Sequence, residues 1–99
     1  MEKTYSYIDY FGRVAENELR LVHDDGGNWY LCINDTGALY YIAKENSGCN
    51  SGYFGDMKHL LNLLLKYKNY KKENFTDYGI ELLNDSIKNS FITLDSLFN

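Results

Sequence analysis

Residues 26–43 read GGNWYLCINDTGALYYIA and decide the fold of this chain. On each side of Asp35-Thr36-Gly37 the residues alternate between two faces, as they do in two antiparallel strands joined by a tight turn. The glycine in the third turn position supplies the left-handed backbone that three-residue hairpin loops require. The stretch therefore predicts a β-hairpin.

The two faces of this predicted hairpin differ in chemistry. One face carries the large side chains Trp29, Leu31, Ile33, Leu39 and Tyr41. Tyr30 and Tyr40 belong to the other face, where cross-strand neighbours lie near each other. We expect the first face to pack on a helix. The two tyrosines then point outward, and they are either covered by a second helix or available to a partner.

Two more strands and a loop are predicted around the hairpin. Residues 4–10 and 18–23 alternate as strands do, and this places Leu19, Leu21 and His23 on one face. Residues 45–55 contain three glycines and no periodic pattern, which predicts a loop.

Helical periodicity begins after residue 55. Asp56 is suited to cap a leucine-rich helix, and apolar residues spaced three and four apart predict a second helix over residues 77–90. The expected fold is α+β, a single domain over residues 1–99. It consists of an antiparallel β-meander of three to four strands, packed against one leucine-rich helix plus a C-terminal helical segment.

Composition and charge narrow the classes of function. The first ten residues lack the features of a signal peptide, and no run of eighteen apolar residues is present, so we expect a cytoplasmic protein without a membrane segment. The net charge is −4, yet residues 57–72 carry five lysines and no acid. The acidic remainder disfavours direct binding to nucleic acid and suits a basic protein partner. Helix capping and solubility explain the lysine–tyrosine stretch of residues 66–72 better than single-strand binding does.

Residues with catalytic or metal-binding chemistry form no convincing site. Cys49 and His59 are the one thiol–imidazole pair to consider, but no third residue orients them and an ordinary loop cysteine explains Cys49 better. The neighbours His23, Asp24 and Asp25 point in different directions along a strand and rarely converge on one ion. We expect no catalytic residue, cofactor or metal, and two reduced cysteines.

Acidic and aromatic residues near the hairpin supply the candidate partner-binding surface. Its members are Asp24, Asp25, Tyr30, Tyr40, Glu45 and Tyr53, with residues 46–54 as a second contact. Tyrosine is enriched at interaction hot spots because it offers a large contact area at low entropic cost.

Residues 24–65 resemble part of the bacterial immunity proteins of the SUKH superfamily. The resemblance covers the turn DDGG at 24–27, the strand NWYLCI at 28–33, the turn TG at 36–37, the strand ALYYI at 38–42 and the helix DMKHLLNLLL at 56–65. It implies a small inhibitor that neutralises a toxin, commonly a nuclease, by direct binding.

Three functional hypotheses follow from these observations. The first is a non-catalytic immunity protein that binds a cognate toxin as a monomer or weak dimer. The second is a phage-encoded antagonist of a host defence nuclease, of the anti-CRISPR type, which uses the same chemistry on a different target. The third is a small thiol enzyme that uses Cys49.

Overall fold

An antiparallel sheet of five strands, in chain order, forms one layer of the molecule. The computed structural model of the chain describes residues 4–8, 14–44 and 51–98. Its strands are β1 (Thr4–Ile8), β2 (Val14–Asp24), β3 (Trp29–Ile33), β4 (Leu39–Ala43) and β5 (Ser51–Gly55). Its helices are α1 (Met57–Tyr67) and α2 (Asp77–Ile87), with short 3-10 turns at Lys72–Asn74 and Asp95–Leu97. The predicted α+β class with an antiparallel meander is confirmed, and the sheet has five strands instead of the expected three to four.

The additional strand, β5, lies where the sequence predicted a loop. β5 pairs antiparallel with β4, and Tyr53 lies opposite Tyr40. Two of its five residues, Gly52 and Gly55, have no side chain and conceal the alternation. The strand therefore arises from pairing with β4 at the sheet edge, which a local pattern does not reveal.

The β3–β4 hairpin forms as its turn residues predict. Gly37 has a φ of 89°, in the left-handed region. The side-chain oxygen of Asn34 accepts hydrogen bonds from the backbone N–H of Thr36 at 3.0 Å and of Ala38 at 2.9 Å. These bonds set the register, in which Leu31 faces Tyr41 and Cys32 faces Tyr40.

The main core lies between one face of the sheet, here called the inner face, and both helices. Its buried members are Val22, Leu31, Ile33, Leu39, Leu60, Leu64, Phe75, Leu83, Ile87 and Leu97. A smaller cluster of Leu19, Cys32 and Ile42 lies on the opposite, outer face. The predicted packing of Leu31 and Leu39 toward the leucine helix is thus observed.

Strand β2 is distorted where α2 meets it. The register shifts between Leu21 and His23, so Val22 is the extra residue of a β-bulge. Because a one-residue shift exchanges the faces of a strand, His23 lies on the inner face with Val22. The prediction that His23 shares a face with Leu19 and Leu21 is therefore wrong.

The start of α2 is attached to this bulge. The hydroxyl of Thr76 donates to the carbonyl of Leu21 at 2.8 Å, and the backbone N–H of Thr76 donates to the carbonyl of Val22 at 3.0 Å. The same hydroxyl accepts from the N–H of Gly79 at 2.9 Å, so it also caps the helix. One side chain thus both begins α2 and fixes it to the sheet.

Helix α1 begins and ends at residues with recognisable caps. The carboxylate of Asp56 accepts a hydrogen bond from the N–H of His59 at 2.9 Å, which confirms the predicted N-cap. Lys68 ends the helix in the left-handed conformation with a φ of 52°. Over the described residues, neither helix has the length and apolarity needed to cross a bilayer.

Gly79→Ala should destabilise the protein by about 2–3 kcal/mol. A Cβ at this position would lie 2.3 Å from the carbonyl oxygen of Val22, so the helix would have to move away from the strand. Chemical denaturation of the variant would measure the loss. Helix propensity alone would predict the opposite change in stability, because alanine in a free helix is favoured over glycine by about 1 kcal/mol.

Gly52→Ala is the matched control for this substitution. A Cβ at Gly52 meets no atom within 4 Å, and we expect a change within about 0.5 kcal/mol. A Gly79→Ala variant as stable as the parent protein would contradict the close contact between α2 and β2.

Candidate functional site

Tyrosines predicted for partner binding lie together on the outer face. The rings of Tyr40 and Tyr53 meet edge to face, with their centroids 5.7 Å apart and an angle of 67°. Tyr53 is 67% exposed, whereas Tyr30 and Tyr40 are half-buried against Leu19, Cys32 and Ile42. The outer face therefore presents one prominent ring, Tyr53, which packs against the half-buried Tyr40.

Asp24 lies beside Tyr30 on the same face and is paired. Its carboxylate forms an ion pair with the ammonium group of Lys44 and accepts a hydrogen bond from the N–H of Gly26 at 2.9 Å. These two contacts, the Lys44 bond first, lower the pKa of Asp24. The Lys44 ammonium also lies 5.1 Å from the centroid of the Tyr30 ring. Much of the negative charge of Asp24 is thus balanced within the protein.

Asp25 is the first residue after β2, and its side chain makes different contacts from that of Asp24. Its carboxylate accepts hydrogen bonds from the N–H of Gly27 at 2.6 Å and of Trp29 at 3.4 Å. It lines a pocket on the inner side instead of joining the tyrosines. Of the remaining predicted residues, Glu45 lies outside the described part of the chain, as do positions 46–50 of the second contact segment.

Of the two cysteines, the structure describes only Cys32. Cys32 is completely buried in the outer cluster, and this burial raises the pKa of its thiol to about 12. At neutral pH it is a protonated core side chain without nucleophilic character. Cys49, the proposed nucleophile, lies outside the described residues, so that hypothesis stays a prediction.

The inner face carries a pocket that the sequence analysis did not identify. It has a volume of about 330 Å³ and is lined by His23, Asp25, Trp29, Tyr30, Leu31, Tyr41 and Tyr70. We call it the aromatic pocket. Trp29 and Tyr41 were expected to pack under the leucine helix. They do lie on the inner face, but they extend beyond α1 and are 43% and 41% exposed.

His23 is a buried wall of the aromatic pocket. It is 6% exposed, and its imidazole packs edge-on against two aromatic rings. The distance between ring centroids is 5.1 Å to Tyr70 and 4.7 Å to Phe75. Its Nε2 atom has no hydrogen-bond partner among the described residues. Burial lowers the pKa of His23, and the nearby charges of Asp25 and Asp24 offset this only in part. The imidazole is therefore neutral at pH 7 and has an unused polar atom.

Two phenols approach each other at the pocket. Burial raises the pKa of Tyr41, and it raises that of Tyr70, with a second contribution from Tyr41 itself. Both side chains are thus neutral hydrogen-bond donors with electron-rich ring faces.

The sequence contained only an indirect signal for this pocket. Trp29 and Tyr41 are visible as hairpin residues, but Tyr70 follows α1 in a stretch that we attributed to helix capping. His23 reaches the inner face only through the bulge, which no local pattern reveals. In the described segments, no group of three or more histidines, cysteines or acids is arranged to hold a metal ion.

Comparison of the chain with known protein families, curated proteins and solved structures finds no match. The resemblance of residues 24–65 to the SUKH immunity proteins therefore stays a prediction. The outer face and the aromatic pocket are the two candidate functional surfaces of the molecule.

His23 should make the protein less stable as the pH falls. Its pKa in the folded state lies below the ordinary value of 6.5, so the unfolded chain takes up this proton first. The contribution of His23 is complete above pH 6.5 and declines as the pH falls toward the folded pKa. The maximum slope for one proton is about 1.4 kcal/mol per pH unit.

Denaturation of the parent protein and of His23→Phe between about pH 5 and 7 would measure this contribution. The variant should lose the part of the pH dependence that His23 causes, whereas substitution of the exposed His59 by glutamine should retain it. Parallel stability curves for the parent protein and His23→Phe would refute a buried neutral imidazole.

Proposed function

We propose that this protein is a non-catalytic inhibitor that binds a basic protein, of the toxin or nuclease class, through the outer face of its sheet. The observation that carries the proposal is the Tyr40–Tyr53 ring pair, in which Tyr53 is 67% exposed. An aromatic side chain of this size in solvent is typical of an interaction hot spot.

The support beneath these tyrosines favours binding. Tyr40 packs against the buried outer cluster, and the β4–β5 pairing fixes the backbone beneath Tyr53. Side chains held in place before association lose little conformational entropy when a partner binds. A rigid strand surface of this kind suits an inhibitor that must dissociate slowly.

Charge distribution indicates the chemistry of the partner. The five lysines of residues 57–72 belong to α1 and the segment after it, which pack on the inner face. The rest of the chain has fourteen acids and five bases. The helical layer, residues 56–98, balances six acids with six bases, whereas residues 1–55, which include the sheet, carry eight acids and four bases. The excess negative charge thus belongs to the sheet half of the chain, which a basic partner would approach faster.

The ion pair between Asp24 and Lys44 determines which residue gives the clearest test. Reversing the charge of Asp24 would also release Lys44 from Tyr30, so a change in affinity would have two causes. Substituting Tyr53 removes an exposed ring and leaves these contacts intact.

Tyr53→Ala should weaken binding of the partner about tenfold or more, the loss typical of a hot-spot residue. The partner would be isolated from the native host with tagged protein at low and moderate salt. Purified, it would be titrated against the parent protein and variants by calorimetry. We expect a basic, stoichiometric partner whose binding weakens with salt and whose own activity falls on complex formation.

Tyr67→Ala is the matched control, because Tyr67 is 57% exposed and lies on α1. It should change affinity by less than about twofold. Equal effects of the two substitutions, a partner that keeps its activity in the complex, or no salt-sensitive partner would each overturn the proposal.

A further inference from the structure

We infer that the aromatic pocket is a binding site for a small organic cation, an ammonium group bearing alkyl substituents. The pocket shares Tyr30 with the outer face but is otherwise lined by different residues from the proposed partner surface. Its rings Trp29, Tyr41 and Tyr70 lie on the inner side of the sheet, whereas Tyr40 and Tyr53 lie on the outer side. The inference therefore does not depend on the proposed function.

The walls of the pocket form a corner of electron-rich rings. The ring centroids of Trp29 and Tyr41 are 6.2 Å apart, and the ring planes meet at 70°. Phe54 packs edge-on against Tyr41 at 5.2 Å and supports that wall. Tyr70 contributes a third ring from the segment after α1. Several aromatic faces around one space are the arrangement that binds alkylated ammonium groups through cation–π attraction.

The charge at the pocket has the sign that a cation requires. Asp25 is the one charged side chain among the described residues that line the pocket, and the N–H groups of Gly27 and Trp29 fix the position of its carboxylate. The ammonium group of Lys44 lies over the ring of Tyr30, and its charge is balanced by the ion pair with Asp24. A fixed carboxylate beside aromatic walls attracts a cation and repels an anion.

The buried His23 closes one side of the pocket. Buried polar atoms are hydrogen-bonded in most proteins, yet Nε2 of His23 has no partner among the described residues. Because the imidazole is neutral, it adds no positive charge that would oppose a cation.

The volume limits the size of the ligand. About 330 Å³ lies at the lower end of the range for small-molecule sites. One ammonium head group with a short polar tail fits such a space, and a nucleotide or a longer peptide segment does not. The same chemistry occurs in a free metabolite such as choline and in a trimethylated lysine side chain.

Choline and its neutral carbon isostere, 3,3-dimethylbutanol, would test the inference. Trp29 is the chain's only tryptophan, so its fluorescence reports directly on occupancy of the pocket. Ring currents should also shift the ligand's methyl proton signal upfield in NMR. We expect saturable binding of choline, with the isostere at least about fivefold weaker, as cation–π attraction implies.

Asp25→Asn would test the electrostatic part of the site. The substitution keeps an oxygen that accepts from the N–H groups of Gly27 and Trp29, and it removes the charge. Choline should bind about fivefold more weakly, while the isostere should be unaffected. Asp35→Asn is the matched control, because Asp35 is an exposed turn residue outside the aromatic pocket.

A short peptide containing trimethyllysine would distinguish the two sources of the cation. Tighter binding of the peptide than of choline would assign the site to a modified lysine side chain, and the reverse would assign it to a free metabolite. Equal affinities for choline and its isostere would overturn the inference. So would an affinity for choline weaker than about 10 mM, or an unchanged affinity in Asp25→Asn.

Discussion

The carbonyl group of Val22 is the point at which the two layers of the molecule are joined. A β-bulge interrupts the hydrogen-bond ladder and leaves backbone groups that need other partners. Thr76 donates to this carbonyl from its backbone N–H at 3.0 Å and from its hydroxyl at 3.3 Å. Gly79 allows the helix to approach because any Cβ there would meet the same oxygen. The distortion of β2 thus fixes both the position and the first turn of α2.

This junction also determines what lies at the uncovered end of the inner face. The bulge turns His23 inward, and the bridge between His23 and Phe75 brings the end of the preceding segment onto the strand. Tyr70, in that segment, then packs against His23 at 5.1 Å. Helix α1 packs on the inner face, where Trp29 and Tyr41 remain 43% and 41% exposed. The aromatic pocket is therefore a product of tertiary attachment, built from residues that are distant in the sequence.

The sequence predicts the features that are set by neighbouring residues, and it does not predict those that are set by contacts between residues distant in the chain. The two faces of the β3–β4 hairpin, the Asp56 cap and the periodicity of α2 each depend on neighbours within a few positions. The bulge at Val22 is joined to the start of α2, 54 residues later, by the hydrogen bond from Thr76, so no pattern of neighbouring residues reveals it. Strand β5 depends on an edge offered by β4, because its own glycines give no signal. The outer tyrosines could therefore be predicted from a local pattern, and the aromatic pocket, which depends on distant pairing, could not.

The β2–β3 turn and the adjoining Tyr30 contribute to both candidate surfaces. Asp24 lies on the outer side next to Tyr30, and Asp25 lines the aromatic pocket. Each aspartate accepts a hydrogen bond from a glycine two residues later, so the turn is held by bonds within itself. Coupling between two sites requires an element with two arrangements that each ligand prefers differently. The β2–β3 turn is fixed in one arrangement by its own side chains, so it does not provide the second arrangement that coupling requires. The outer face and the pocket are thus expected to act as two independent, preorganised surfaces on one sheet.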